Sequence, residues 1–162
     1  MNALANLRIG YGQDAHRLEA GHPLIIGNVT VESERGAVAH SDGDVLLHAL
    51  ADALLSAFAL GDIGRYYPPS DKAFKNINSA EILRGVQAII RNNVGPVKLQ
   101  NVAAVVTLDK PKLGSRRDEI RARAAELLGL EPERFGLTFK TSEGLAPDHI
   151  QAAVTVLLSA AE

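Results

Sequence analysis

Ala39-His40-Ser41-Asp42-Gly43-Asp44-Val45-Leu46-Leu47-His48 is the stretch on which the reading of this chain turns. From Asp42 to about Leu60 the residues are Ala, Leu, Val and Phe on nearly every side. A helix apolar all round belongs in a core rather than at a surface. Ser41 is placed as its N-cap, and Asp44, three residues on, completes a capping-box-like pattern. Asp44, His48 and Asp52 recur at i, i+4 and i+8, which lines them up as one polar stripe on an apolar rod. Buried ionisable groups need partners, so the stripe calls for another segment, a metal or a ligand. The plainer alternative makes Asp44 a cap, His48 a satisfied core histidine and Asp52 a solvent-facing residue.

Outward from this helix, Leu7 to Gly12 reads as a strand running into Gln13-Asp14-Ala15-His16. Pro23–Ile26 and Val29–Val31 flank Gly27-Asn28, a strong hairpin signal. Gly61 and Gly64 stop the apolar helix. Arg65–Asn78, with Pro68 and Pro69, reads as an ordered loop, of a length often functional. A second helix starts near Asn78 or Ser79, with Ile82, Leu83, Val86, Ile89 and Ile90 at helical period, and ends by Gly95-Pro96. Val97–Leu108 is the best long strand, Asp109–Gly114 a turn, Arg116–Leu128 an amphipathic helix, and Phe135–Lys140 and Ile150–Leu158 the last strands. The order strand, hairpin, helix, helix, strand, helix, strand, strand predicts an α/β chain of the α+β type, a single sheet covered by helices on one side.

The chain has 162 residues, 46% of them apolar, a net charge of −2 and no cysteine. One domain over residues 1–162 is expected. Nothing is basic enough to make nucleic acid the default partner, and no apolar run reaches membrane-spanning length. The N-terminal residues lack the pattern of a signal peptide, so a cytoplasmic protein is expected. Without cysteine, any metal falls to His, Asp and Glu.

Asp14 and His16, one residue apart at a strand end, point to the same face. With His48 they would make three ligands with a fourth position open, as in a catalytic zinc site, although Asp-x-His spacing is common by chance. Lys140-Thr141-Ser142-Glu143 gathers a cation, two hydroxyls and a carboxylate, suited to a phosphate and a hard cation, or it is only a polar turn. Pro111-Lys112-Leu113-Gly114 stands where backbone N–H groups meet an anion, or is simply the turn before a helix. Asp62-Ile63-Gly64 offers a carboxylate and free N–H groups, or is a helix C-cap. His22 reads as a loop residue, and His149 as surface or interface.

Gly12–His16, Ala39–Leu50, Ala59–Gly64, Pro111-Lys112 and Lys140–Glu143 stand in one order, and together they resemble the 2-C-methyl-D-erythritol 2,4-cyclodiphosphate synthases. The resemblance runs from about Leu7 to Leu158, and H-S-D-G-D-x-x-x-H is its specific core. It implies a phosphorus–oxygen lyase of the non-mevalonate isoprenoid pathway. That enzyme cyclises 4-diphosphocytidyl-2-C-methyl-D-erythritol 2-phosphate and releases CMP. It implies a homotrimer packing its sheets around a central axis, with active sites at subunit interfaces. Asp14, His16 and His48 match zinc ligands, and Glu143 matches the residue near a second cation, Mg2+ or Mn2+. His40 and Thr141 match catalytic positions that stabilise the transition state, and His40 and Ser41 lie near the 2-phosphate. Asp62, Ile63 and Gly64 match the hold on the methylerythritol hydroxyls, with Tyr67 and Asp71 in the following loop also on the substrate. Leu108, Pro111, Lys112, Leu113 and Gly114 match the cytosine pocket, and Lys140 and Ser142 complete the substrate set. Asp42 and Asp44 are left to capping and to support of His48 or His40.

Two stretches depart from the family pattern. Gly144–His149 replaces a longer Gly- and Arg-containing loop, and Pro69 stands where an acidic residue is common. Two other readings compete: a zinc hydrolase with Asp44 or Asp62 as base, and a non-catalytic trimeric module that binds cytidine nucleotides.

Overall fold

Strand β7 (His149–Ala160) is the middle of the molecule's main sheet. The computed structural model describes residues 6–160. β1 (Leu7–Ala20) lies on one side of β7 and β5 (Val97–Leu108) on the other, both antiparallel to it. β6 (Phe135–Lys140) adds to β5 in parallel, and β4 (Arg35–Ala37) pairs with the last residues of β1. The order β4-β1-β7-β5-β6 makes a mixed five-stranded sheet. β2 (Leu24–Ile26) and β3 (Val29–Val31) form a separate hairpin, so the single sheet expected is accompanied by a two-stranded one. Gly27 and Asn28 at its turn both have positive φ, 60° and 62°, as a two-residue turn of this hand requires.

Helices cover one face of the main sheet. α1 (Val45–Ser56) lies on β1 and β7, α4 (Arg117–Leu128) beside β6, and α3 (Ser79–Val94) packs outside α1. The apolar run does specify a core helix: ten of its twelve residues are buried. α3 buries Ile82, Leu83, Val86 and Ile90 of the stripe its spacing predicts, and leaves Ile89 half-buried. Side chains of β5 and β7 alternate, with Val102, Ala104, Val106, Val154 and Val156 turned to the helices and sealed. The other face is bare and carries Ile9 (72% exposed), Tyr11 (54%) and Val105.

Several boundaries differ from the sequence reading. α1 begins at Val45 rather than Asp42, because Gly43 sits at φ 73° and breaks any helix through it; Asp44, not Ser41, is the N-cap, accepting from Leu47 N at 3.1 Å. The same helix ends at Ser56, before Ala59 (φ 54°) and Gly61 (φ 89°). β1 continues to Ala20, and β4 had no sequence signal. The loop from Arg65 holds the end of a one-turn helix, α2 (Ile63–Tyr66), and a 3-10 turn at Lys72–Phe74. Among the described residues no helix is long and apolar enough to cross a membrane.

Candidate metal centre and substrate cavity

Two glycines decide how close α1 comes to β1. A Cβ on Gly10 would lie 1.8 Å from the Ala53 carbonyl oxygen, and one on Gly12 2.1 Å from that of Ala49. Only bare backbone admits the helix at this distance, and Ser56 Oγ, accepting from Tyr11 N at 2.9 Å, fixes its far end. His48, on the face of α1 turned to β1, is thereby brought against Asp14. Its Nδ1 stands 2.9 Å from Asp14 Oδ2. His16, two residues along the same strand face, has Nε2 2.7 Å from that same oxygen. The three candidate ligand atoms all lie within 4.8 Å of one another. The expected His-His-Asp set is thus assembled.

The donor set fits a cation. His16 Nε2 is buried and has no hydrogen-bond partner, since its approach to Asp14 is close but misaligned for an N–H···O bond. A buried ring nitrogen with no proton partner, beside a carboxylate and a second imidazole, is what a shared metal ion can satisfy. Burial would raise the Asp14 carboxyl, but the adjacent His16 and His48 outweigh it and hold it down at about 2. Burial lowers His48, yet the bond and charge of Asp14, then the charges of Asp44 and Asp42, leave it raised above its ordinary 6.5. Asp14 is therefore an anion at any working pH, and a metal on His48 competes with the proton that Asp14 favours there.

The other two members of the stripe work elsewhere. Asp44 is fully buried and accepts from Gly27 N (2.9 Å), Asn28 N (2.6 Å) and Leu47 N, clamping the hairpin turn to the start of α1. Burial pushes its carboxyl up to about 6 against those three donors. It is fully buried and is not among the residues lining the cavity beside the cluster, which argues against it as a base for water. Asp52 does not face solvent freely; its Oδ1 accepts from Ile63 N at 2.8 Å and so ties the next loop to α1. Burial, and the charges of Asp62 and Asp14, raise it despite that bond.

A cavity of about 340 Å3 opens beside the cluster. His16, His40, Ser41 and His48 line one side; Ile63, Gly64, Tyr67 and Asp71 line the other, with Pro69 among them. Asp62 stands next to it as the N-cap of α2, accepting from Arg65 N at 3.1 Å, so its turn begins a helix rather than ending one. Tyr67 packs edge-on against Phe74, ring centroids 5.1 Å apart. The His40 carbonyl accepts from Asn76 N at 2.6 Å, closing the loop over the cavity.

The remaining expected residues form a second group at the same end of the sheet. Asp109, which sequence reasoning placed only in a turn, accepts from Ser142 N (2.6 Å) and Ser142 Oγ (2.9 Å), and these bonds lower its carboxyl. Thr141 Oγ1 donates to Glu143 Oε1 at 3.1 Å, and Glu143 takes φ 57°. Lys140 and Lys112 are exposed. Leu108 and Leu113 are core residues, each 4% exposed, so neither side chain is offered to a ligand. Gly114 opens a 3-10 turn before α4.

This second group is not beside the first. Ala15, Gln151, Thr107 and Lys140 occupy one row across β1, β7, β5 and β6. Three strand spacings, roughly 14 Å, therefore separate the Asp14–His16 segment from Lys140–Thr141 within one chain. His22 is an exposed loop residue as read, and His149 is half-buried at the start of β7 with an unpartnered Nδ1. Sequence spacing gives Ser79 only a helix start, with no part in the site. It contacts His48 from 31 residues away, and its position at the head of α3 looks like capping.

Comparison with known proteins places this geometry. The YgbB family profile matches residues 7–159. A 2-C-methyl-D-erythritol 2,4-cyclodiphosphate synthase of Thermus thermophilus is 49% identical over 152 residues, covering 94% of this chain and 99% of that protein. The enzyme of the same name from Deinococcus radiodurans is 54% identical over 153 residues, 93% of each. A solved 2C-methyl-D-erythritol-2,4-cyclodiphosphate synthase in its CDP-bound form superposes with a TM-score of 0.88 at 48% identity, covering 94% of this chain and all of that one.

Proposed function

This chain belongs to the YgbB family, and from that premise we infer that it cyclises 4-diphosphocytidyl-2-C-methyl-D-erythritol 2-phosphate to 2-C-methyl-D-erythritol 2,4-cyclodiphosphate with release of CMP. It is a phosphorus–oxygen lyase. A 2-phosphate oxygen attacks the β-phosphorus of the same molecule. The bond from that phosphorus to the oxygen bridging it to CMP breaks, and CMP leaves with the electron pair. The nucleophile is already an anion, so the protein's work is positioning and charge neutralisation rather than proton removal. The buried Asp44, held by three backbone N–H groups, accords with this, because a hydrolase would want that carboxylate free.

The observation that carries the reading is the convergence of Asp14, His16 and His48, with the two histidines on the cavity wall. Zn2+ held by Asp14 Oδ2, His16 Nε2 and His48 Nδ1 would act as a Lewis acid on a substrate phosphate oxygen. His40 and Ser41, on the same wall, hold the 2-phosphate. Ile63 and Gly64, fixed by Asp52, and the Asp62 carboxylate beside them take the methylerythritol hydroxyls. Tyr67 and Asp71 close that side. Thr141 steadies charge at the reacting diphosphate, where Glu143 receives Mg2+ or Mn2+. The backbone from Leu108 to Gly114, with Lys112, Lys140 and Ser142, receives cytidine and its phosphates.

Since these two groups stand roughly 14 Å apart in one chain, the working site joins the metal cluster of one protomer to the Asp109–Glu143 region of another. The bare sheet face with Ile9, Tyr11 and Val105 supports a homotrimer packed sheet to sheet, because apolar area of this kind belongs at an interface. Phosphorus NMR of the substrate with the metal-loaded protein tests the reading. A cyclic diphosphate appearing with CMP is expected; CMP with a linear diphosphate carrying solvent oxygen would make the protein a hydrolase.

A further inference from the structure

We propose that Ser79 is a positioning residue of the metal centre, passing the orientation of Asp42 to His48 and so presenting the Nδ1 lone pair to the metal. The inference rests on the metal reading above and adds a residue to it. Ser79 is the first residue of α3 and only 1% exposed. Its Oγ lies 2.9 Å from His48 Nε2 and in short contact with Asp42 Oδ1, while its N–H donates to Asp42 Oδ2 at 3.0 Å. Asp42 Oδ1 also accepts from Asp44 N at 3.2 Å, so the carboxylate is anchored from both sides.

The direction of the chain of bonds follows from counting protons. A serine hydroxyl has one hydrogen, and a carboxylate has none. The only proton between Ser79 and Asp42 is the serine's, and it must point at the carboxylate. Ser79 Oγ then has only lone pairs for His48 Nε2, so Nε2 must carry the imidazole proton. Ser41 Oγ, 3.1 Å from the same nitrogen, already accepts from Gly43 N and offers a second acceptor. In neutral imidazole a proton on Nε2 leaves Nδ1 bare, and Nδ1 is the nitrogen that faces Asp14. If Ser79 turned its proton to His48 instead, its buried oxygen would face the Asp42 carboxylate with no proton between them. Partners that fix the tautomer of a metal-bound histidine raise its affinity by about 10- to 100-fold.

The test compares wild type, Ser79→Ala, Ser79→Thr and Asp42→Asn. Zinc affinity is read by chelator competition, and the His48 tautomer by nitrogen NMR of the metal-free protein at a pH where the ring is neutral. The expected result is an Nε2–H tautomer in wild type and in Ser79→Thr, which keeps the hydroxyl. Ser79→Ala should lose tautomer purity and about 10- to 100-fold in zinc affinity, with an unchanged circular dichroism spectrum. Asp42→Asn adds no volume and replaces the charged acceptor by a neutral, weaker one, so it should weaken the same tautomer preference. It decides the matter if Ser79→Ala fails to fold. Wild-type affinity and tautomer in a folded Ser79→Ala, or an Nδ1–H tautomer in wild type, would overturn the proposal. Wild type that takes up no zinc would instead overturn the metal assignment, and the tautomer would then decide the role of Ser79.

Discussion

Gly12 and Ala49 meet without a side chain between them: a Cβ at position 12 would fall 2.1 Å from the Ala49 carbonyl oxygen. The contact sets the depth of α1 on β1, and His48 lies one residue before Ala49. Gly12→Ala must push the helix outward, since the obstacle is backbone and cannot rotate away. Overpacking of this kind costs about 1–3 kcal/mol or more. The separation of His48 from Asp14 should grow with it. Urea unfolding should show the loss of stability, and metal titration a weaker site at temperatures where the variant is folded. Full metal affinity in a destabilised variant would mean that the cluster does not depend on this contact.

The metal-free protein should show a pH window set by Asp14 and His48. Asp14 is lowered from 3.8 to about 2, so its contribution is present above 3.8 and lost as pH falls toward 2. His48 is raised from 6.5, so its contribution is present below 6.5 and lost as pH rises through the raised value. The pair thus stabilises most between these limits. At 1.36 kcal/mol per unit of pKa the Asp14 share is about 2 kcal/mol. Urea unfolding of wild type and Asp14→Asn in chelator, compared across pH, should give the largest difference inside the window and smaller ones on both sides. With metal bound the alkaline loss should vanish, because the ligand form of His48 is neutral.

Segments whose neighbours match their own preferences were legible in the sequence. Val97–Leu108 and Phe135–Lys140 end where alternation and Gly or Pro end, and their observed bounds are those read. Asp14, His16 and His48 were legible too, because polar ligands stand out against an apolar frame. The misreadings have tertiary causes. Ser41-x-x-Asp44 fits a capping box, but the left-handed Gly43 turns the chain first and Asp44 spends its carboxylate on the hairpin. Arg35–Ala37 is a strand only because Leu18–Ala20 pairs with it. Gly10 and Gly12 look like weak strand residues until the helix they admit is known.

Gly85→Ala should separate substrate fit from stability. A Cβ there would lie 1.7 Å from the Tyr67 hydroxyl, which must move, but a side-chain tip moves at little cost. Replacing glycine inside α3 gains about 1 kcal/mol of helix preference. The variant should unfold no more easily than wild type. Because Tyr67 walls the cavity, KM should rise while zinc affinity stays the same. An unchanged KM with a displaced Tyr67 would take that residue out of substrate contact.

His48→Ala and Lys112→Ala test whether the site is shared between protomers. His48 belongs to the metal cluster, and Lys112 lies close enough to Asp109 for its charge to lower that carboxyl. Each variant alone should keep the fold and lose most activity, the first with its metal and the second without losing metal. If a site joins the two ends across an interface, an intact one forms where a Lys112→Ala protomer offers its cluster to a His48→Ala neighbour. Unfolding and refolding equal amounts together should place such pairs at about a quarter of the sites in a cyclic assembly. Activity should therefore return to about a quarter of wild type, with zinc found only in the protomers that retain His48. Were each site built within one chain, no mixed protomer would carry both intact ends. The mixture would then stay as inactive as its parts.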